Sequence, residues 1–364
     1  MARPFYDKLE WSVIIAVGCI AVISVATIRS LSASAPEAEE LMVKQVGWFA
    51  LGAFIVAMVI SVDYHILSAM AYPLYLLVLA GLAAVLIPGI GQTIMGATRW
   101  IKIGPLTMQP SELTKIALIL VLSKYFSDKK KDTVFLSDLI VSSMLLGIPV
   151  AMILKEPDLG MSLVQLPIFA AIVFVAGIDR KYIIGLVTLA LLSVYPAWLH
   201  LKDYQRERLI SFMNPDSDPL GSGYHVIQSK IAIGSGGFWG KGYGNGKMSL
   251  LNFLPEQFTD FIFSVYSEQF GFVGCAVLLL IYLTLILKGL SIASKAKDKL
   301  GRLIAVGVVT VFTVQVFVNI GVTTGILPVT GLTLPFMSYG GSSVFSTSIM
   351  LGLLLNVSFR RYDF

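Results

Sequence analysis

The chain has 364 residues, of which 56% are hydrophobic and 13% charged, with a mean hydropathy of +0.81. A soluble domain carries about 25% charged residues, so this composition excludes an ordinary soluble fold and points to a membrane. The net charge of +5 is no nucleic-acid footprint, because cytoplasmic loops of membrane proteins are basic anyway, and no nucleic-acid partner is expected.

A spanning helix needs about 20 mostly apolar residues. In chain order the sequence predicts ten: 12–28, 46–62, 66–87, 111–126, 138–154, 161–177, 183–199, 261–287, 303–325 and 342–358. Arg3 and Lys8 before the first run, and "SLSASAPEAEE" after it, resemble a signal peptide. The run is longer than a typical signal core, and an uncleaved anchor completes an even number of spans. With the N-terminus inside, fifteen Lys and Arg residues fall in cytoplasmic segments and five in short outer loops. Both termini are therefore expected inside, with "KYFSDKKKD" (124–132) as a cytoplasmic anchor. The fold class expected is an all-α polytopic membrane protein, a single domain over 1–364.

Two outer segments are long. The first, 88–110, is rich in Gly and Pro and carries Arg99 and Trp100. The fourth span, just after it, is the weakest because it holds Lys115. Glu112 lies three residues before that lysine, so the two share a helix face and can pair, for structure or for function. "KEPDLG" (155–160) reads as a tight charged turn between the fifth and sixth spans; Asp158 is its candidate polar group, with turn formation the simpler role.

The second outer segment, 200–260, has seven glycines between Gly234 and Gly246. They fit no phosphate loop, since neither G-x-x-x-x-G-K-[ST] nor G-x-G-x-x-G occurs, and tight turns at a membrane surface suit them better. "YHVIQSKIAI" (224–233) suggests a short amphipathic helix, with Val226, Ile227 and Ile231 towards lipid or protein. Cys19 and Cys275 both lie in apolar runs and are expected as small buried hydrophobes. His65, His200 and His225 are far apart, and no cluster has zinc-ligand spacing.

"NFLPEQFTDFIFSVYSEQFG" (252–271) places carboxylates at the mouth of the eighth span. Pro255 and Glu256 suit a helix start. Asp260 is one turn further in, among Phe258, Phe261 and Phe263, where a partly buried carboxylate is poised to act as a general base. Glu268 is expected about two turns into the same span, on roughly the face of Asp260.

"RERLISFMNPDSDPLGSGYHVIQSKIAIGSGGFWGKG" (206–242), "FLPEQFTDFIF" (253–263) and "NIGVTTGILPVTGLTLPFMSYGGSS" (319–343) resemble the SEDS family (shape, elongation, division and sporulation). "GATRWI", "QPSELTK" and "EPDLG" fit as well, and the chain looks more like the elongation member than the division member. The resemblance implies a ten-span peptidoglycan glycosyltransferase in the cytoplasmic (inner) membrane. Its substrate would be lipid II, the undecaprenyl-pyrophosphate disaccharide pentapeptide, polymerised on the outer face. The family's essential aspartate falls on Asp260, and its fourth-span pair on Glu112 and Lys115. Gln257 and Phe258 stand where relatives often have Arg and His, so neither of those types is required here.

The chemistry so implied needs a base for a sugar hydroxyl and positive charge for a leaving pyrophosphate. Arg99, Lys115, Arg206, Arg208, Lys230 and Lys241 are the candidate cations, with Asp158 and Glu268 as further polar candidates for the substrate site. A divalent cation (Mg or Mn) is compatible with this chemistry, although no ligand cluster demands one. The family also implies a class B penicillin-binding transpeptidase and the elongation machinery as partners, besides membrane lipid. Two other readings stay open on the residues: a lipid II flippase, and a non-catalytic cell-wall scaffold.

Overall fold

A computed structural model of the chain describes residues 9–32, 35–94, 97–104, 106–129, 133–200, 203–213, 222–251, 253–254 and 256–361. Helices occupy all ten apolar stretches. α1 (Trp11–Ser30) and α2 (Glu37–Ser61) form the first two; α3 (Tyr64–Ala69) and α4 (Ala71–Val85) share the third. Next come α5 (Pro110–Ser127), α6 (Leu136–Lys155), α7 (Leu159–Gly177) and α8 (Arg180–His200). The long 200–260 segment folds as α9 (Asp203–Met213), α10 (Ser222–Gly236) and α11 (Lys247–Leu250). α12 (Ile262–Ser294), α13 (Lys299–Thr323) and α14 (Gly341–Arg360) complete the chain.

Among the described residues, α1, α2, α6, α7, α12, α13 and α14 are each long and apolar enough to cross a bilayer. α4 is shorter, at 15 residues, and α5 carries Glu112, Lys115 and Lys124. The chain is an all-α polytopic membrane protein.

α5 is the central helix, packed against α4, α7 and α13. Its residues from Ile116 to Leu122 are all at most 4% exposed, as expected for a helix that is apolar all round. α14 lies along α2, and α1 packs on α12 and α2 with Val13, Ile20 and Ile28 fully covered. Cys19 faces outwards from α1 and Cys275 is half-buried, so the expectation of two buried thiols fails for Cys19. A lipid-facing surface is itself apolar, and an apolar run does not say which of its residues turn inwards.

The 88–110 segment is not an irregular loop. β1 (Gly91–Ile94), β2 (Ala97–Ile103) and β3 (Leu106–Met108) form a three-stranded antiparallel sheet. The alternation of Thr98, Trp100 and Lys102 with Arg99, Ile101 and Ile103 carries that period of two.

The eighth span also differs from expectation. α12 is broken at Gly271 (φ 61°, ψ −161°), a backbone conformation that glycine adopts without steric penalty. The glycine-rich segment docks into the break: Lys241 N donates to Glu268 O (3.0 Å), Gly242 N to Gln269 O (3.0 Å) and Phe272 N to Gly237 O (2.9 Å). Backbone groups released by the break are thus re-paired, and a Cβ on Gly271 would lie 2.3 Å from Gly240 N. Glu268 therefore belongs to a short helix ahead of the break, not to a continuous span.

Candidate active site

The residues 256–260 form turns, and α12 begins only at Ile262 with Phe261 as its N-cap. Glu256 has φ 48° and is exposed, so it is not the helix-start residue its sequence position suggests; Pro255 lies outside the described residues. Asp260 precedes the helix and is half-buried. Asp260 and Glu268 consequently do not share one helix face as the sequence suggested.

The turn is held by its carbonyls. Tyr339 N donates to Phe258 O (2.8 Å), Ser338 Oγ to Thr259 O (2.7 Å) and Asn319 Nδ2 to Asp260 O (3.0 Å). The same Asn319 nitrogen donates to Leu332 O (2.8 Å). Gly331 (φ 75°) lies against the carboxylate: a Cβ there would be 3.7 Å from Asp260 Oδ2. Asp260 is thus presented on a braced turn between α12, the end of α13 and the 326–340 loop.

The "EPDLG" turn abuts the same loop. A Cβ on Gly160 would meet Thr330 O at 2.3 Å, so the two backbones are in direct contact. Asp158 caps α7 by accepting from Met161 N (3.1 Å), and it also accepts from Gln109 Nε2 (3.2 Å). Arg99 on β2 grips this turn, donating to Glu156 O (3.2 Å) and to Pro157 O, with its Nη1 3.6 Å from Asp158 Oδ2. Glu156 is 1% exposed, and neither carboxyl oxygen has a hydrogen bond among the described residues. Burial, aided by the neighbouring charge of Asp158 and opposed by Arg99, pushes its pKa up from 4.5 to about 8.

Behind the loop, Lys115 Nζ donates to Glu112 Oε2 (2.7 Å), and Ser346 Oγ of α14 donates to the same oxygen (2.5 Å). Lys115 is fully buried, which favours the structural role of this pair. Thr333 and Ser343 share a hydrogen bond (2.8 Å), joining the loop to the start of α14.

The remaining polar candidates are dispersed. Glu268, fully buried, accepts from Lys241 Nζ (2.8 Å), Met248 N (3.0 Å), Ser249 N (3.2 Å) and Ser249 Oγ (2.9 Å), and so fastens α11 to α12. Arg206 donates to Leu199 O (2.9 Å), and the side chain of Arg208 lies outside the described residues. α10 packs against α12 and α13. Its His225 ring is parallel to that of Phe261 (centroids 6.2 Å apart), and Ser229 Oγ bonds both Ser264 Oγ (2.6 Å) and Thr323 O (2.6 Å). Val226 and Lys230 pack on Gly325, and the exposed Lys230 makes no ion pair among the described residues.

Sequence reasoning named Asp260 but missed Asn319, Ser338 and Gly331, whose roles depend on chain segments meeting across 59 residues and more. Among the described residues no three His, Cys, Asp or Glu side chains gather in a way that could hold a metal ion.

A family model described as cell cycle protein, FtsW/RodA/SpoVE, matches residues 6–363. The probable peptidoglycan glycosyltransferase FtsW of Geobacter metallireducens is 41% identical over 361 residues, covering 98% of this chain and 95% of that protein. The peptidoglycan glycosyltransferase MrdB of Escherichia coli is 36% identical over 360 residues, covering 99% and 96%. Among solved structures, a chain from a peptidoglycan synthase complex that coordinates polymerization and crosslinking aligns with a TM-score of 0.83 at 36% identity, covering 98% of this chain and 99% of that one. The rod shape determining protein RodA of Thermus thermophilus aligns with a TM-score of 0.72 at 31% identity, covering 99% and 100%. On this sequence, fold and site, the chain belongs to the FtsW/RodA/SpoVE family of cell cycle proteins, the SEDS family that its motifs resemble.

Proposed function

We infer that the chain is a peptidoglycan glycosyltransferase that polymerises lipid II at the outer face of the cytoplasmic membrane, with Asp260 as general base. The observation that carries this reading is the presentation of Asp260: a half-buried carboxylate on a turn braced through three successive carbonyls, in a chain whose full-length relatives bear that enzyme's name. The acceptor's 4-hydroxyl oxygen attacks C1 of the donor sugar from the face opposite the diphosphate. The C1–oxygen bond to phosphate breaks, its electron pair leaves with the lipid diphosphate, and the hydroxyl proton passes to Asp260. Inversion at C1 follows from this single displacement.

A base in that position contributes about 10²- to 10⁴-fold in rate. Of the candidate cations, Lys230 is the one whose exposed ammonium is free of ion pairs among the described residues, which favours it for the diphosphate. Arg99 and Lys241 act first on the protein itself, fixing the turn and the glycine-rich segment. The basic segments favour both termini inside and Asp260 outside. The 206–242 motif favours the elongation role, with a class B penicillin-binding transpeptidase as the crosslinking partner. The synthase complex that contains a similar chain supports such a pairing.

Purified protein supplied with labelled lipid II, with the products sized, tests the reading. Asp260→Asn should abolish polymer, and Lys230→Ala should raise KM. Polymer from the Asp260→Asn protein at the wild-type rate would eliminate the base role.

A further inference from the structure

Asn319 lies one turn before the end of α13, is 1% exposed, and spends its amide on two carbonyls from different parts of the chain. One nitrogen reaches Asp260 O at 3.0 Å and Leu332 O at 2.8 Å. A side-chain amide nitrogen has two hydrogens, so each carbonyl receives its own donor. The opposite amide orientation would set an oxygen against two oxygens, which fixes the assignment.

Leu332 directly follows Gly331, where a Cβ would lie 3.7 Å from Asp260 Oδ2. A single buried atom therefore spaces the turn that carries the carboxylate from the loop that faces it. Neighbouring anchors act elsewhere: Tyr282 OH holds Pro335 O, and Ser338 Oγ binds Thr259 O while accepting from Leu334 N. Thr259 and Phe258 are held to the loop's far end at Ser338 and Tyr339. Asn319 ties the Asp260 carbonyl to the loop at the Gly331 side.

We propose that Asn319 is a positioning residue for glycosyl transfer, setting the reach between the Asp260 carboxylate and a sugar hydroxyl bound against the Gly331–Leu332 backbone. The proposal rests on Asp260 being the base. A misplacement of about 1 Å at a reacting group can lower turnover by about 10²-fold, so the loss should fall on kcat and not on substrate binding.

The test compares Asn319→Ala with Asn319→Leu, which keeps close to the side chain's size, adds no charge and removes both donors. Each is assayed for kcat and KM on lipid II and for melting temperature in detergent. The expected result is a kcat lowered by about 10- to 100-fold in both variants, with KM within about twofold of wild type and melting retained in Asn319→Leu. Wild-type kcat in either variant overturns the proposal. So does a loss of activity in both variants that only tracks a fall in melting temperature, because that is a structural role. The Asp260→Asn assay reads the base independently: if that protein polymerises normally, the base reading fails whatever Asn319 does.

Discussion

Replacing Glu156 by glutamine removes an ionisable group from a place that cannot accommodate its charge. The carboxyl is 1% exposed, unbonded at both oxygens among the described residues, and titrates at about 8 in the fold against 4.5 when free. Its folded pKa is raised, and it is an acid, so between pH 4.5 and 8 the unfolded chain binds fewer protons than the folded one. Stability therefore falls as pH rises through that window, by about 1.4 kcal/mol for each pH unit. At pH 7 the deficit is about 3 kcal/mol relative to pH 4.5, and above pH 8 it stops growing. Glutamine has the shape of the protonated acid and does not titrate. Melting in detergent, followed from pH 4.5 to 9, should show the Glu156→Gln protein level with wild type at the acid end. It should then gain several degrees by pH 8 and hold a constant lead beyond. A lead independent of pH, or one that shrinks as pH rises, would refute the burial argument.

The Glu112–Lys115 pair lends itself to a double-mutant cycle. Each single alanine substitution strands a buried charge and should destabilise by about 3–5 kcal/mol, whereas the double substitution should cost well below the sum; additive losses would deny the coupling. Gly271→Ala should lower the melting temperature far more than Gly18→Ala, because a Cβ at 271 meets Gly240 N at 2.3 Å while one at 18 meets nothing within 4 Å. Equal shifts would mean that the break in α12 is not held by the glycine-rich segment.

The sequence made some residues readable and hid others for identifiable reasons. Asp260 was legible because its motif is local: a carboxylate among three phenylalanines at the start of an apolar run. Glu268 does lie about two turns into the same helix, but the face it was expected to share with Asp260 was misjudged, because Asp260 sits in the turn before the helix begins at Ile262. The break at Gly271 was hidden because it is paired by Gly237–Gly242, a segment about 30 residues earlier in the chain. Arg99 looked like a phosphate ligand by its charge, yet its guanidinium meets the carbonyls of a turn nearly 60 residues away. Val226 and Ile231 were expected on one apolar face of α10; Val226 is buried on Gly325, and Ile231 is 42% exposed.

By itself the sequence determined the membrane class, the ten helical stretches and the carboxylate at the eighth one's mouth. Those follow from composition and from runs of about 20 apolar residues, which are properties of neighbours along the chain. Tertiary structure alone decided which charges are spent on the protein and which stay available, and how the Asp260 turn is braced. Such pairings depend on distances between segments far apart in sequence, and side-chain chemistry specifies a partner's type but not its address.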